Sequence, residues 1–234
     1  WAPLQVTFRT DGPQSLVLPG AGGPLPYEGS VGNLTASIGA DRSLPLRALT
    51  VRDLVLTGRE STDMLAAGAL DMDLRQGAGG AERGVDPAYE LMALATDLRF
   101  PARLRLPLGE LVSRLELDAD VMGDIRSHPW PEALYRWRDS GGVVEVSELD
   151  VLYGPLRLTL EGTVALDGKG QPMGAFVARG QGLPETLDVL YQRGLLPGPG
   201  VASAKLALRV LSRGSQTGEP GVSVPLTLQD RILS

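Results

Sequence analysis

The chain contains no cysteine, which removes disulfides, thiolate metal sites and thiol nucleophiles and leaves packing as the source of stability. It has a single histidine, His128, between Ser127 and Pro129. A metal site built on one imidazole and no thiol would need several carboxylates around it. Ser127 and His128 cannot form a catalytic pair by adjacency, because neighbouring side chains diverge and a third group has to orient the base. His128 therefore reads as a structural or solvent-exposed residue, and neither a metal nor a cofactor is expected.

Aromatic residues make up only 5% of the chain against 43% hydrophobic residues overall. A cavity in such a protein is lined by Leu, Val and Ala, a surface suited to acyl chains better than to stacked bases. Lysine is nearly missing: Lys169 and Lys205 are the only two, and every other one of the 22 basic residues is arginine. The formal net charge of −6 argues against a phosphate-backbone binder, which needs a concentrated basic face. No stretch approaches the roughly 20 apolar residues that span a bilayer, and Trp1 to Thr10 lacks a charged segment followed by an apolar one. An export signal or anchor is expected to lie outside this sequence.

The sequence does contain short apolar runs punctuated by Gly and Pro. Gln5–Phe8, Ser15–Leu18, Val31–Ile38, Leu46–Leu56, Leu65–Arg75 and Tyr89–Arg99 read as strands, with a break from Pro19 to Pro26 and a Gly-rich loop over Gln76–Asp86. In Leu111–Val121, Leu111, Ser113, Leu115, Leu117, Ala119 and Val121 alternate with charged residues, one face dry and one wet. Pro131–Ser140 predicts a short helix with Pro at its first turn and Gly141 just past its end. Val143–Leu152 and Leu156–Asp167 predict a hairpin about Gly154-Pro155, and Asp167-Gly168-Lys169-Gly170 turns the chain into Met173–Arg179. Two helices with glycine stops follow, Pro184–Arg193 and Val201–Arg213, then strands Val222–Leu228 and Ile232–Leu233. The expected fold is mainly β (α+β): a long curved antiparallel sheet with a few short helices, forming one domain over residues 1–234.

No nucleophile elbow, phosphate-binding loop or dinucleotide fingerprint accompanies the 30 glycines, which read as turn and bulge residues. Asp71 with Asp73, and Asp118 with Asp120, place paired carboxylates on one strand face. In a half-exposed sheet this reads as a solvated face rather than a calcium site or an acid–base pair. Trp130, Tyr135 and Trp137 cluster about the short helix; they could frame a pocket mouth, but large aromatics more often join helix to sheet.

From residue 131 onward the chain resembles a known family. The segments are Ala133-Leu134-Tyr135-Arg136-Trp137-Arg138, Tyr153-Gly154-Pro155-Leu156, Gly162-Thr163-Val164-Ala165-Leu166-Asp167, Gln171-Pro172-Met173-Gly174 and Val224-Pro225-Leu226-Thr227-Leu228-Gln229-Asp230. They resemble a bacterial family of unknown function, number two-one-two-five among such domains, found mainly in Gram-negative alphaproteobacteria. Tyr153 stands where members often have Trp, a conservative exchange. The resemblance is looser over Trp1–Pro107. It implies a periplasmic, β-rich body following an N-terminal membrane anchor, so the chain is expected to be the soluble portion of a longer protein held at the inner membrane.

The resemblance brings no catalytic residues with it, and the long sheet is similar at the level of fold to periplasmic lipid-handling proteins. The expected function is non-enzymatic: binding or transfer of a lipid or another long apolar molecule on the concave face. Leu115, Leu117, Leu156, Leu158, Leu160 and Trp137 are the candidate contacts. The alternative is an envelope scaffold that binds another protein by strand addition at a sheet edge. An apolar face left uncovered by helices would favour the first reading, and a covered one would count against it.

Overall fold

The computed structural model describes residues 5–20, 23–39, 46–59, 63–77, 87–123, 125, 132–212, 222–229 and 232–233. They form a single meandering sheet: β1 (Gln5–Gly20), β2 (Gly23–Gly39), β3 (Leu46–Gly58), β4 (Met64–Gln76), β5 (Tyr89–Arg99), β6 (Leu111–Met122), β7 (Val143–Tyr153), β8 (Leu156–Leu166), β9 (Pro172–Gln181), β10 (Val222–Gln229) and β11 (Ile232–Leu233). Spatial order equals chain order and every ladder is antiparallel. The sheet is curved and open; at about 4.8 Å per strand it is a ribbon roughly 48 Å wide. Helix α1 (Glu132–Asp139) follows β6, and α2 (Leu183–Gln192) and α3 (Gly198–Ser212) lie between β9 and β10. No helix among the described residues is long and apolar enough to cross a membrane.

The fold class expected from the sequence is the one observed, including the strand at Tyr89–Arg99 and the two hairpins after α1. At the second hairpin, Asp167 Oδ1 accepts hydrogen bonds from the amides of Lys169 and Gln171, both at 2.8 Å. This local side-chain turn explains why Asp leads the Gly-Lys-Gly sequence.

Two expectations need correction. The first strand is one continuous element through Gly20 rather than two short runs, and Pro19–Pro26 is no break, since Pro19 pairs with Pro24 and Gly20 with Gly23. The reason is position. β1 lies at the sheet edge, and β2 before Tyr27 extends past the end of its pairing with β3, so the missing proline donors face no ladder there.

The second correction concerns phase. In β6 a single alternation was expected from Leu111, yet Val112 is 8% exposed and Leu111 is 40% exposed. The apolar positions change parity near Ser113, and the same step occurs at the same level in four preceding strands. β3 runs Leu49, Val51, then Leu54, Leu56; β4 runs Leu74, Met72, Leu70, then Ala67, Leu65; β5 runs Leu91, Ala93, Ala95, then Leu98. On β2, Ile38, Ala36 and Leu34 give way to Val31 and Tyr27. Gly32, Asp53, Gly68, Asp97 and Ser113 form the row where the step is taken.

Asp53 and Asp97 both have φ of 52°, in the left-handed region that interrupts two-residue alternation. Each lies against a glycine: a β-carbon at Gly32 would come within 3.0 Å of Asp53 Oδ2, and one at Gly68 within 3.1 Å of Asp97 Oδ2. The row therefore alternates residues that take the positive φ with residues that leave room for them.

A Val at position 97 should lose about 1–3 kcal/mol of unfolding free energy from β-branched strain in the left-handed region. Asp97→Gly should leave it within about 1 kcal/mol of the parent. Urea denaturation of the two variants side by side checks this, and equal losses would show that Asp97 acts through its carboxylate rather than its backbone.

Candidate functional site

The ladder registers assemble one apolar side from rows that cross the sheet. Leu34, Val51, Leu70, Ala95, Leu115, Val151 and Leu158 are successive partners, and so are Ala36, Leu49, Met72, Ala93, Leu117, Leu149 and Leu160. The second row continues through Ala178 on β9 and Val224 on β10 and reaches Phe8 on β1, while the first continues through Gly180 and Val222 and meets Thr10 on β1. Directly opposed residues share a face, so this side is almost wholly aliphatic from one edge to the other.

The opposite side carries the charges. Arg52 Nη2 donates to both oxygens of Asp71 at 2.8 Å, and Thr50 also donates to that carboxylate. Asp73 accepts from Arg75 at 2.7 Å. Further along, Arg157 and Thr159 donate to the buried Asp150, at 3.1 and 3.2 Å, and Arg179 pairs with Glu161. Asp118 and Asp120 stand near Glu90 and Glu145; burial and then repulsion from Glu90, Asp118 and Glu145 raise the Asp120 carboxyl above its ordinary value. Among the described residues no group of His, Asp and Glu is arranged to hold a metal ion.

The apolar side is closed at both ends of its strands and partly open between them. At one end α1 lies over the sheet: Trp137 and Ala133 join Leu74, Ala88, Tyr89 and Ile125 in a buried cluster, with Leu91, Val121, Val144 and Leu166 against it. Trp137 Nε1 donates to the Met122 carbonyl at 2.6 Å. Its ring lies flat on Gly142, where a β-carbon would be 2.2 Å from Nε1.

At the other end the 3-10 turn Ala102–Leu104 covers the buried row that includes Tyr27: Arg103 donates to Tyr27 Oη at 2.6 Å and its guanidinium stands 5.6 Å from the ring centre. Tyr153 Oη donates to the Gly109 carbonyl at 2.6 Å and accepts from the Leu108 amide at 2.9 Å, which ties this loop to β7. α2 covers the same end, with Leu183 over Gly180.

Of the candidate contacts, Leu115, Leu117, Leu158 and Leu160 lie together at the centre of the apolar side, each partly exposed. Leu156 belongs to the same side at the α2 end. Trp137 does not line the open face: at 3% exposure it is part of the closed end, because a short helix needs a large anchor to hold it on a sheet. Tyr135 of the same cluster points outward, 53% exposed, with the Arg138 guanidinium 5.4 Å from its ring centre. His128, Trp130 and the greater part of the Gln76–Asp86 loop fall outside the described residues.

The chain matches, over residues 1–234, the family described as "Uncharacterized protein conserved in bacteria (DUF2125)". It belongs to that family. The match covers the whole chain, including the N-terminal half where the likeness in sequence is looser. No curated protein and no solved structure matches it. For this member of DUF2125 the geometry of the molecule itself therefore carries the functional argument.

Two expectations test this geometry. Trp137→Ala should cost about 3–5 kcal/mol as a buried aromatic deletion, measured by denaturant unfolding. Asp120→Asn should raise the melting temperature at pH 7. With a folded-state pKa above the unfolded one, charged Asp120 opposes folding at and above neutrality, and both states are protonated well below pH of about 4. The gain should therefore vanish on acidification; a gain that persists at low pH would trace to packing instead.

Proposed function

We propose that this protein binds a lipid or another long apolar molecule along the aliphatic side of its sheet, as a carrier or transfer module and without catalysing a reaction. The observation that supports this most is the state of the central rows. Leu115, Leu117, Leu149, Leu158 and Leu160 pack against one another sideways yet stay partly exposed. The principal helix contacts fall instead at the strand ends and on β8 and β10. A contiguous aliphatic surface of this extent on a folded chain is the kind that marks an interaction site. Its central lining is aliphatic, with few polar groups and with aromatics such as Phe8 and Phe176 only toward the outer strands, which fits acyl chains. The resemblance set out above supports a periplasmic body held at the inner membrane by a segment outside this sequence.

One observation favours the second reading, an envelope scaffold. β1 is a 16-residue strand at the sheet edge, and Val6, Phe8, Leu16 and Val17 on it are exposed. An edge of this length is a template for strand addition. Gly12 at positive φ, with a register irregularity between Thr10 and Gly12, interrupts it in the middle, so a partner strand would pair over half the edge at a time.

Native mass spectrometry of the purified protein, followed by organic extraction, is expected to find a stoichiometric lipid or its uptake from added phospholipid. Leu117→Gln with Leu160→Gln, both opposite Leu149, should weaken uptake by about tenfold or more. The same pair should cost no more than about 2 kcal/mol of stability, since both side chains are only partly buried. A protein that stays empty through these additions while retaining a protein partner would transfer the argument to the β1 edge.

A further inference from the structure

We propose that the cavity beneath the β5–β6 loop holds the anionic headgroup of the amphiphile whose chains occupy the apolar side. This rests on the lipid-binding reading and adds an orientation and a headgroup class to it. The cavity has a volume of about 440 Å³, and Arg99, Arg105, Glu110, Ser113, Gly154 and Arg193 are among the residues that line it. That is within the usual size of a small-molecule site.

Three guanidinium groups face one carboxylate there. Arg99 Nη1 stands 3.7 Å from Glu110 Oε2. The side chains of Arg105 and Arg193 make no hydrogen bond or ion pair with any described residue. In a chain of net charge −6, two unengaged arginines beside a cavity are a local reversal of sign, and guanidinium groups bind phosphate or carboxylate oxygens in two-toothed fashion.

The arginines come from three places in the chain, and the fold brings each of them in. Arg99 ends β5. Arg105, with φ of 47°, terminates the 3-10 turn in the left-handed region and so carries backbone strain, a feature that concentrates at ligand sites. Arg193 follows α2, and its Nη2 lies 3.0 Å from where a β-carbon of Gly109 would be. Gly109, at φ of 119°, is therefore the residue that lets the guanidinium approach, and Tyr153 fixes the loop by its two hydrogen bonds.

Continuity with the apolar side comes from the elements that close its end: the loop lining the cavity is held by Tyr153 through Leu108 and Gly109, and α2, which lays Leu183 over Gly180 beside Leu158, leads directly into Arg193.

The test uses the whole chain and native mass spectrometry titrations with three lipids of identical acyl chains: phosphatidylglycerol, phosphatidylcholine and diacylglycerol. The parent protein is expected to prefer phosphatidylglycerol over diacylglycerol by about tenfold or more, the discrimination of one charge-assisted contact. In Arg105→Gln with Arg193→Gln that preference should fall to near unity, with diacylglycerol binding unchanged. Arg105→Lys with Arg193→Lys, which keeps charge and removes the two-toothed geometry, should fall between.

Equal binding of all three lipids by the parent would overturn the headgroup site and leave the lipid-binding reading intact. Failure of every lipid to bind would overturn both. Inorganic phosphate that binds in an arginine-dependent manner to a protein taking up no lipid would also overturn the proposal, in favour of a site for the free anion.

Discussion

Agreement of phase between neighbouring strands is the constraint on which this molecule depends. In a meander, each strand is paired only with its neighbours in sequence, and a one-residue slip in any ladder would carry its leucines to the charged side and its charges to the apolar side. The step at Gly32, Asp53, Gly68, Asp97 and Ser113 shows how tight the constraint is. Were Asp53 alone to change phase, β3 would fall out of step with both β2 and β4. Instead five strands change at the same level, and the pairing of β3 with β4, β4 with β5 and β5 with β6 keeps one register throughout. The edge strand β1 makes its adjustment as an irregularity between Thr10 and Gly12, with no outer neighbour to disturb, and the other register shifts, at Ser37–Ile38, Asp118–Ala119 and Val146–Leu149, fall away from the step.

Stability is distributed accordingly. The ion pairs of the polar side, such as Arg52–Asp71 and Arg179–Glu161, are between side chains some 40–55% exposed, where such pairs contribute about 0–1 kcal/mol each. The buried large side chains lie toward the strand ends: Tyr89 and Trp137 at one, Tyr27 and Leu56 at the other. The middle of the sheet is held by its backbone ladders and by sideways contact between aliphatic neighbours. It can therefore present a half-exposed apolar surface without an adjoining helix to hold it in place.

Strands whose apolar residues keep one parity were legible in the sequence. β8, with Leu156, Leu158, Leu160, Val164 and Leu166, is such a case, and so is β6 from Leu115 onward. The step was not legible, because Arg52-Asp53 and Thr96-Asp97 look like ordinary polar pairs on a wet face. A signal was present in the way the apolar period slips by one at Asp53-Leu54 and again at Asp97-Leu98. The length of β1 was hidden by Pro13 and Pro19, whose tolerance depends on the strand lying at an edge, which is a property of the assembled sheet. The arginine-lined cavity was invisible for a similar reason: Arg99, Arg105 and Arg193 come from a strand end, a turn and the residue after a helix, and no spacing joins them. Tyr153 could be seen only as an aromatic before Gly-Pro, since its work is to hold Leu108 and Gly109 from across the fold.

The two closed ends differ in chemistry, and the difference bears on what the open middle can hold. The α1 end is sealed by aromatic and aliphatic groups, with the one indole donor already committed to the Met122 carbonyl. A charged group placed there would be desolvated with no partner, a penalty of several kcal/mol. The opposite end offers guanidinium groups, two of them without a partner among the described residues, together with water access through exposed Arg105 and Arg193. For the amphiphile proposed above, this difference favours one orientation, acyl ends toward Trp137 and headgroup toward Arg193.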